Sequence, residues 1–589
     1  MRPIPAANPG RDARVTERFR RRAILGLIIL GYLSLAVLYA VHVPIWNAPD
    51  EPAHYNFIRT IAVDHRLPVL VPGDYDQAEI ARLTSDHFRP GESIDGLRYE
   101  SHQPPLYYLL EAPIFLATAR ASRPVQVVAL RLVTALIGAL VILATYRLAS
   151  LVFPKPASYP LAAAAFVAFL PMHLFMDAAI DNDALVELLL CLVLIVLVDD
   201  LIKPREPRND LLVGVAAGLA ALTKLDGGIS AVLIVVGFAG SALLAADRAR
   251  ALRRVPLRVI RAGLVALLIS GWWFVRNVVI YGLGDPFALR RHAQVVLGQP
   301  LTGALTRSRL RDLALTAFHS FWGQFGWMGI PYTDRTYDVL ATLSLLVALG
   351  VALYAWRVIQ ALGPGVRLDH GANGDAVEPR QDREKGALPT RRFSRSFAPF
   401  RDVRCPDAPR ATRGPNGPRR SVSPRPPIPT SALALLLLEI LLVVVGVVFY
   451  NLRYLQPQGR YFFPALPALA ILSVAGIGEL IRDEHVGLVL TIAGIALFWF
   501  CAFSLFQVIG PAFATALARR SRRSRMTGGY HGITGRAASA LRRQRWCASR
   551  SRALLLRSLR QVWRKDPDSG RSALGPGTVV RWRRPGEQL

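Results

Sequence analysis

The chain has 589 residues, of which 52% are apolar, and carries 71 Lys and Arg against 41 Asp and Glu, a net charge of +30. Repeated uncharged stretches approach the roughly 20 residues that a helix needs to cross a bilayer, which excludes a water-soluble globular protein. The charge sits mostly in three segments, with seven basic and two acidic residues in 1–22, 14 and 7 in 361–430, and 19 and 3 in 519–589; basic segments beside membrane spans set topology or touch anionic lipid, and no nucleic-acid-binding signature accompanies them, so nucleic acid is excluded as a partner.

Residues 1–22 form a basic amino terminus, predicted cytoplasmic by the positive-inside rule, and 23–43 form a first span longer than the apolar core of a secretory signal. An external loop over 44–124 opens with Asn47-Ala48-Pro49-Asp50-Glu51-Pro52-Ala53-His54, which places three ionisable side chains where the chain leaves the bilayer. Later in that loop, Glu100-Ser101-His102-Gln103-Pro104-Pro105 leads into 106–116, which is short for a span and carries Glu111 and Pro113. It is predicted as an interfacial helix.

Spans over 125–150 and 158–176 bring the acidic turn from Asp177 through Asp181 to Asp183 to the same outer side as Asp50. Spans over 184–202, 211–223 and 229–246 follow, and the last ends in a strongly basic, cytoplasmic loop at 247–254. The span 256–281 leads to a second external loop, 282–335, and 337–360 returns inward. Residues 361–430 are rich in Pro, Arg and Gly and are predicted as a disordered cytoplasmic linker. Spans over 431–450, 461–481 and 486–509 complete an all-α polytopic membrane protein of about 11 transmembrane helices. Its parts are a module over 23–360, carboxyl-terminal spans over 431–510 and a basic, low-order tail over 511–589. An odd span count puts that tail outside, against its own charge. Cys191, Cys405, Cys501 and Cys547 have no metal-ligand spacing and imply no disulfide framework.

Each polar site has an ordinary structural explanation. Asp50 ahead of Pro52 reads first as a helix cap, and Asp181 and Asp183 as caps of the next helix. His102-Gln103 before a proline pair reads as an extended loop, and Lys224 as a snorkelling side chain neutralised by Asp226. Two acidic sites and an imidazole on one face of the membrane are harder to explain as caps. That set is what activating an acceptor hydroxyl or amine, or holding a divalent cation, requires. Arg453 and Arg460 on the external side run against the charge rule and point to an anionic ligand such as a phosphate.

Asp50-Glu51 after the first span, His102-Gln103-Pro104-Pro105-Leu106-Tyr107-Tyr108, Asp183, Thr223-Lys224 and Gly459-Arg460-Tyr461-Phe462-Phe463-Pro464 occur in this order. In that order the chain resembles membrane glycosyltransferases of the GT-C fold, in the aminoarabinose transferase and protein O-mannosyltransferase group. The resemblance spans roughly 20–510, interrupted by the linker. It implies a GT-C-like helical bundle in the cytoplasmic membrane that moves a sugar from a polyprenyl-phosphate carrier to a glycan, lipid or protein acceptor on the external face. It assigns Asp50 and Asp183 to catalysis and Lys224 and Arg460 to the donor phosphate. His102 and His292 fall where a divalent metal would find ligands, Glu51, without a family counterpart, is a further candidate ligand, and His54, Gln103 and Tyr461 are supporting candidates. A transporter or flippase of a lipid-linked or anionic sugar is the alternative, and a membrane scaffold is a third reading. A transport pathway would place ionisable groups near mid-membrane, whereas these collect in external loops and at span ends.

Overall fold

The computed structural model describes residues 9–304, 306–361 and 430–515. These residues fall within one compact unit, Met1–Ala516. Most of the predicted tail over 511–589 and of the predicted linker over 361–430 lies outside the described residues.

The described part is almost wholly helical. Helix α1 (Pro9–His42) carries the first apolar run, and Pro44, which has no N–H to donate, follows its end. After a sharp turn, α2 (Glu51–Asp64) begins around Pro52, whose fixed φ suits a first helical turn. Helix α3 (Gln77–Ser85) is capped by Asp76, whose carboxylate accepts the Ala78 and Glu79 amides at 2.8 and 3.1 Å. Helix α4 (Leu106–Ala117) is the short apolar helix expected at the interface. It lies against α2, where the Phe57 and Tyr108 rings stack at 3.7 Å.

The bundle continues with α5 (Arg123–Val152), α6 (Ser158–Ala168), α7 (Pro171–Asp177), α8 (Asp183–Ile202) and α9 (Arg208–Ala221). Next come α10 (Ser230–Leu244), α11 (Arg248–Tyr281), α12 (Leu289–Val295), α13 (Arg307–Gly323) and α14 (Asp334–Ala361). Helices α15 (Thr430–Asn451), α16 (Leu466–Leu480) and α17 (Asp483–Phe503) close it. Two-residue strands, β1 (Gln324–Phe325) and β2 (Ile330–Pro331), form a small hairpin in the second loop. Glycine spacing fixes one crossing, because a Cβ at Gly214 or Gly218 of α9 would lie 2.6 Å from Ala262 or 2.9 Å from Ala266 of α11. This is the small-residue contact by which helices approach closely in a membrane.

Among the described residues, eight helices are long and apolar enough to cross a membrane, or nine if the bent pair α6–α7 counts as one. The expected 158–176 span is that pair, bent by 63° where Pro171 starts a new helix. The other two expected crossings, α8 and α9, fall outside the set because α8 carries four carboxylates and α9 has only 14 residues.

At one end of the bundle the two long loops and the segment after α15 lock together. The Trp327 indole donates to the Trp46 carbonyl at 2.9 Å, and the Arg291 Nε to the Leu70 carbonyl at 2.9 Å. The Thr302 hydroxyl reaches the Asn451 carbonyl at 2.6 Å, and single bridges join Asp76 to Leu297 and Leu301 to Tyr454. Segments that are hundreds of residues apart in the chain thereby build one surface.

Candidate active site

Asp50 sits in the left-handed region, at φ 64°, immediately before α2, and its side chain caps no amide. The expected capping role is therefore absent. Its Oδ1 accepts the Tyr99 hydroxyl at 2.8 Å, and its Oδ2 is ion-paired with Arg460. Burial opposes its ionisation, but the Arg460 guanidinium outweighs that and holds the carboxyl below its usual range.

Arg460 lies in a tight 3-10 segment, Gly459–Ala465, that leads into α16. Gly459 makes this placement possible, since a Cβ there would fall 2.2 Å from the Phe321 backbone nitrogen of α13. The Gly459 amide also donates to the Ser320 hydroxyl at 2.7 Å. From this fixed point Arg460 donates through Nε to Gln458 at 2.8 Å and through a terminal nitrogen to Asp181 Oδ2 at 3.2 Å, while its other terminal nitrogen reaches Asp50.

Asp181 and Asp183 divide the work of the acidic turn. Asp181 Oδ1 accepts the Asp183 amide at 2.9 Å, in the turn just before α8, whose N-cap residue is Asn182. The second Asp181 oxygen serves Arg460. Burial and the adjacent Asp183 carboxylate push the Asp181 carboxyl up to about 7. Asp183 is paired with Lys224, whose ammonium lies 4.0 Å from Asp226. Burial alone would weaken the Lys224 charge, but Asp183 and Asp226 hold its pKa above the ordinary value. His54 completes the group, with Nδ1 2.9 Å from the Tyr108 hydroxyl and Nε2 3.9 Å from Asp181. Asp50, His54, Asp183, Lys224 and Arg460, which the sequence reading expected on one face, therefore lie together.

The expected metal ligands do not converge in this way. Glu51 and Arg131 are each 0% exposed and form a two-point ion pair at 2.6 and 2.7 Å. Arg131 also donates to the Ala40 and Val43 carbonyls, and Glu51 accepts the Trp46 amide, so this pair ties the end of α1 to α2 and α5. Glu51 has no place in a metal shell, which corrects that assignment. His102 and His292 do meet, with ring centroids 4.5 Å apart, but His102 Nδ1 is taken by the Tyr99 carbonyl at 2.9 Å. Burial pushes their pKa values down to about 4 and about 3, so both imidazoles are neutral. Among the described residues, no group of three or more His, Cys, Asp or Glu is arranged to hold a metal ion. The donor set does not fit one.

A cavity of about 180 Å³ lies where the two long loops and the segment after α15 meet, with Asp50, Glu100 and His292 in its wall. Tyr75, Tyr99, Trp327 and Tyr461 supply ring surfaces, and Gln77, Gln299, Gln456 and Gln458 supply amides. The Arg460 guanidinium carbon is 5.3 Å from the Tyr461 ring centre. Gln103, expected as a supporting residue, is absent from this wall and has a buried amide oxygen without a hydrogen-bond partner. Aromatic faces and neutral amides suit a ring with apolar faces and hydroxyl edges. The sequence reading took Asp181 for a helix cap and passed over Tyr99, Gln458 and Arg131. Of these, only Arg131 carried its own signal, as a lone cation within an apolar run.

Residues 104–274 match the model of a family described as dolichyl-phosphate-mannose-protein mannosyltransferase. The resemblance carried by the sequence motifs is thus found again over a segment holding α4, the acidic turn and Lys224. Comparison with curated proteins gives no match. Among solved structures, ArnT from Cupriavidus metallidurans bound to undecaprenyl phosphate is similar at 14% identity and TM-score 0.40, covering 84% of this chain and 74% of that one. The oligosaccharyltransferase AglB from Archaeoglobus fulgidus, in complex with an inhibitory peptide and a dolichol-phosphate, is similar at 14% identity and TM-score 0.41, covering 85% and 56%. The oligosaccharyltransferase of the same organism, in complex with Zn and sulfate, gives 12% identity and TM-score 0.39, covering 80% of this chain and 52% of that one. The chain thus spans about half the length of the oligosaccharyltransferases it matches.

Proposed function

We propose that the protein is a glycosyltransferase that moves a sugar from a polyprenyl-phosphate carrier to a glycan, lipid or protein acceptor on the external face of the cytoplasmic membrane. The observation that carries this reading is Asp50, held by Tyr99 and Arg460 in the wall of a cavity furnished with aromatic and amide side chains. The family match over 104–274 supports the same class of donor.

In this reading Asp50 takes or orients the proton of the acceptor hydroxyl or amine as it attacks the anomeric carbon from the face opposite the phosphate. The bond from the anomeric carbon to the phosphate oxygen breaks, and its electron pair leaves on the lipid phosphate. Arg460 and Lys224 stabilise the charge that develops there, in a site where little water competes. Purified protein in proteoliposomes, supplied with a polyprenyl-phosphate sugar, tests the reading. Mass spectrometry should find a covalently glycosylated acceptor with the native chain and none with Asp50→Asn; full transfer by the variant removes Asp50 from the mechanism.

One observation favours the transport reading. A buried polar cluster lies within the bundle, with His173 Nε2 2.9 Å from Glu187 and the Tyr32 hydroxyl donating to Asp177 at 2.7 Å. Ionisable groups at such depth often mark pathways. The same proteoliposomes separate the two, because transport moves the lipid-linked sugar across without any covalent product.

A further inference from the structure

The two cations of the site are already matched by carboxylates. Arg460 is only 4% exposed in its side chain and commits all three nitrogens, to Gln458, Asp181 and Asp50. Lys224 is paired with Asp183 and faces Asp226. A phosphate group that uses Arg460 therefore competes with a carboxylate for the same N–H groups.

The competitors differ in what else holds them. Asp50 has Tyr99 on its other oxygen, and Asp181 has the Asp183 amide on its other oxygen. Asp50 also borders the cavity, whereas Asp181 is 3% exposed in its side chain and is not among the residues lining it. Its carboxylate has no access to an acceptor in the cavity. It can act on the reaction only through the arginine.

Resting on the reading above, we infer that Asp181 is a positioning residue that competes with the lipid phosphate for Arg460 and thereby sets how quickly the departing polyprenyl phosphate is released. The chemistry makes this competition uneven along the reaction. A phosphate esterified to both lipid and sugar carries one negative charge. Once the sugar bond has broken, the lipid phosphate monoester carries close to two, and it draws Arg460 away from Asp181 more strongly. Asp181 is the ionised partner while it holds the arginine, so it competes with the product for those N–H groups and reclaims the arginine as the phosphate departs. Without that negative charge, product would be held tightly by a desolvated guanidinium.

The test is direct binding of a short-chain polyprenyl phosphate to the full-length protein in detergent, by isothermal titration calorimetry. Asp181→Asn keeps an oxygen for the Asp183 amide and removes the charge. It should bind the phosphate roughly tenfold more tightly than the native chain, as expected for losing one nearby competing charge in a partly screened site. In transfer assays it should lower kcat and KM together, the signature of slowed product release. A merely structural role would weaken binding instead. Should Asp181→Asn fail to fold, Asp181→Ser also removes the charge, keeps a hydroxyl for the same amide and carries the same expectation. Unchanged or weaker binding by a folded variant, beside measurable binding by the native chain, overturns this inference and leaves the proposed function standing. No binding by the native chain overturns both.

Discussion

Asp50 and Glu51 are neighbours in the chain, both are carboxylates, and each is paired with an arginine, yet they do opposite things. Glu51 and Arg131 are completely enclosed, and backbone partners take up further hydrogen-bonding capacity on both. Asp50 keeps 22% of its side chain exposed, borders a cavity, and faces an arginine shared with a second carboxylate. An ion pair becomes a structural staple when its partners are enclosed and saturated. It remains available for chemistry when one partner meets a cavity and the other is contested.

Substitutions sharpen that contrast. Arg131→Met leaves Glu51 as an unpaired buried charge and should cost about 3–5 kcal/mol of stability, seen as lost folded protein in size-exclusion chromatography and a large fall in thermal midpoint. Asp50→Asn should do the reverse, keeping the midpoint close to native while transfer falls about 10²–10⁴-fold in a radiolabelled-sugar assay. If Asp50→Asn unfolded the protein as Arg131→Met does, the distinction between staple and reactive group would collapse.

A smaller effect concerns the histidine pair. Burial holds His292 at about 3, against an ordinary value of 6.5, so between those values the folded state binds fewer protons than the unfolded one. Stability therefore falls as pH drops from 6.5 toward 3. At pH 5 this residue contributes a loss of at most about 2 kcal/mol, reduced further by its partial exposure. Thermal unfolding at pH 7.5 and pH 5 should show a larger drop for the native chain than for His292→Asn. The smallest effect belongs to Asp226, which is 53% exposed and 4.0 Å from Lys224. Asp226→Asn should change transfer by less than about threefold, and a larger loss would mean that Lys224 depends on Asp226 as well as on Asp183.

The sequence made the class of fold readable because apolar runs of bilayer length need no tertiary information. The same holds for α4, whose short length, Glu111 and Pro113 set it apart from the spans. Span counting went furthest from the structure at α8 and α9, where carboxylates and a short helix break the simple rule, and at 158–176, where Pro171 breaks the helix. The gathering of Asp50, Asp183, Lys224 and Arg460 followed from sidedness alone. Which cation meets which acid did not, because Asp50 and Arg460 are 410 residues apart and no local pattern relates them. Glu51 was misassigned for the same reason. Its partner, Arg131, lies 80 residues away inside a run that reads as plain membrane span.

Gly459 leaves almost no gap between the Arg460 segment and the backbone of α13. The arginine is thus mounted on an anvil, since its backbone cannot shift without carrying a 17-residue helix along. Its neighbours Gln458 and Tyr461 line the cavity together with Asp50, Tyr75 and Tyr99 of the first loop. A guanidinium held this way keeps its place whatever occupies the neighbouring cavity, because any shift of its backbone must be shared by α13.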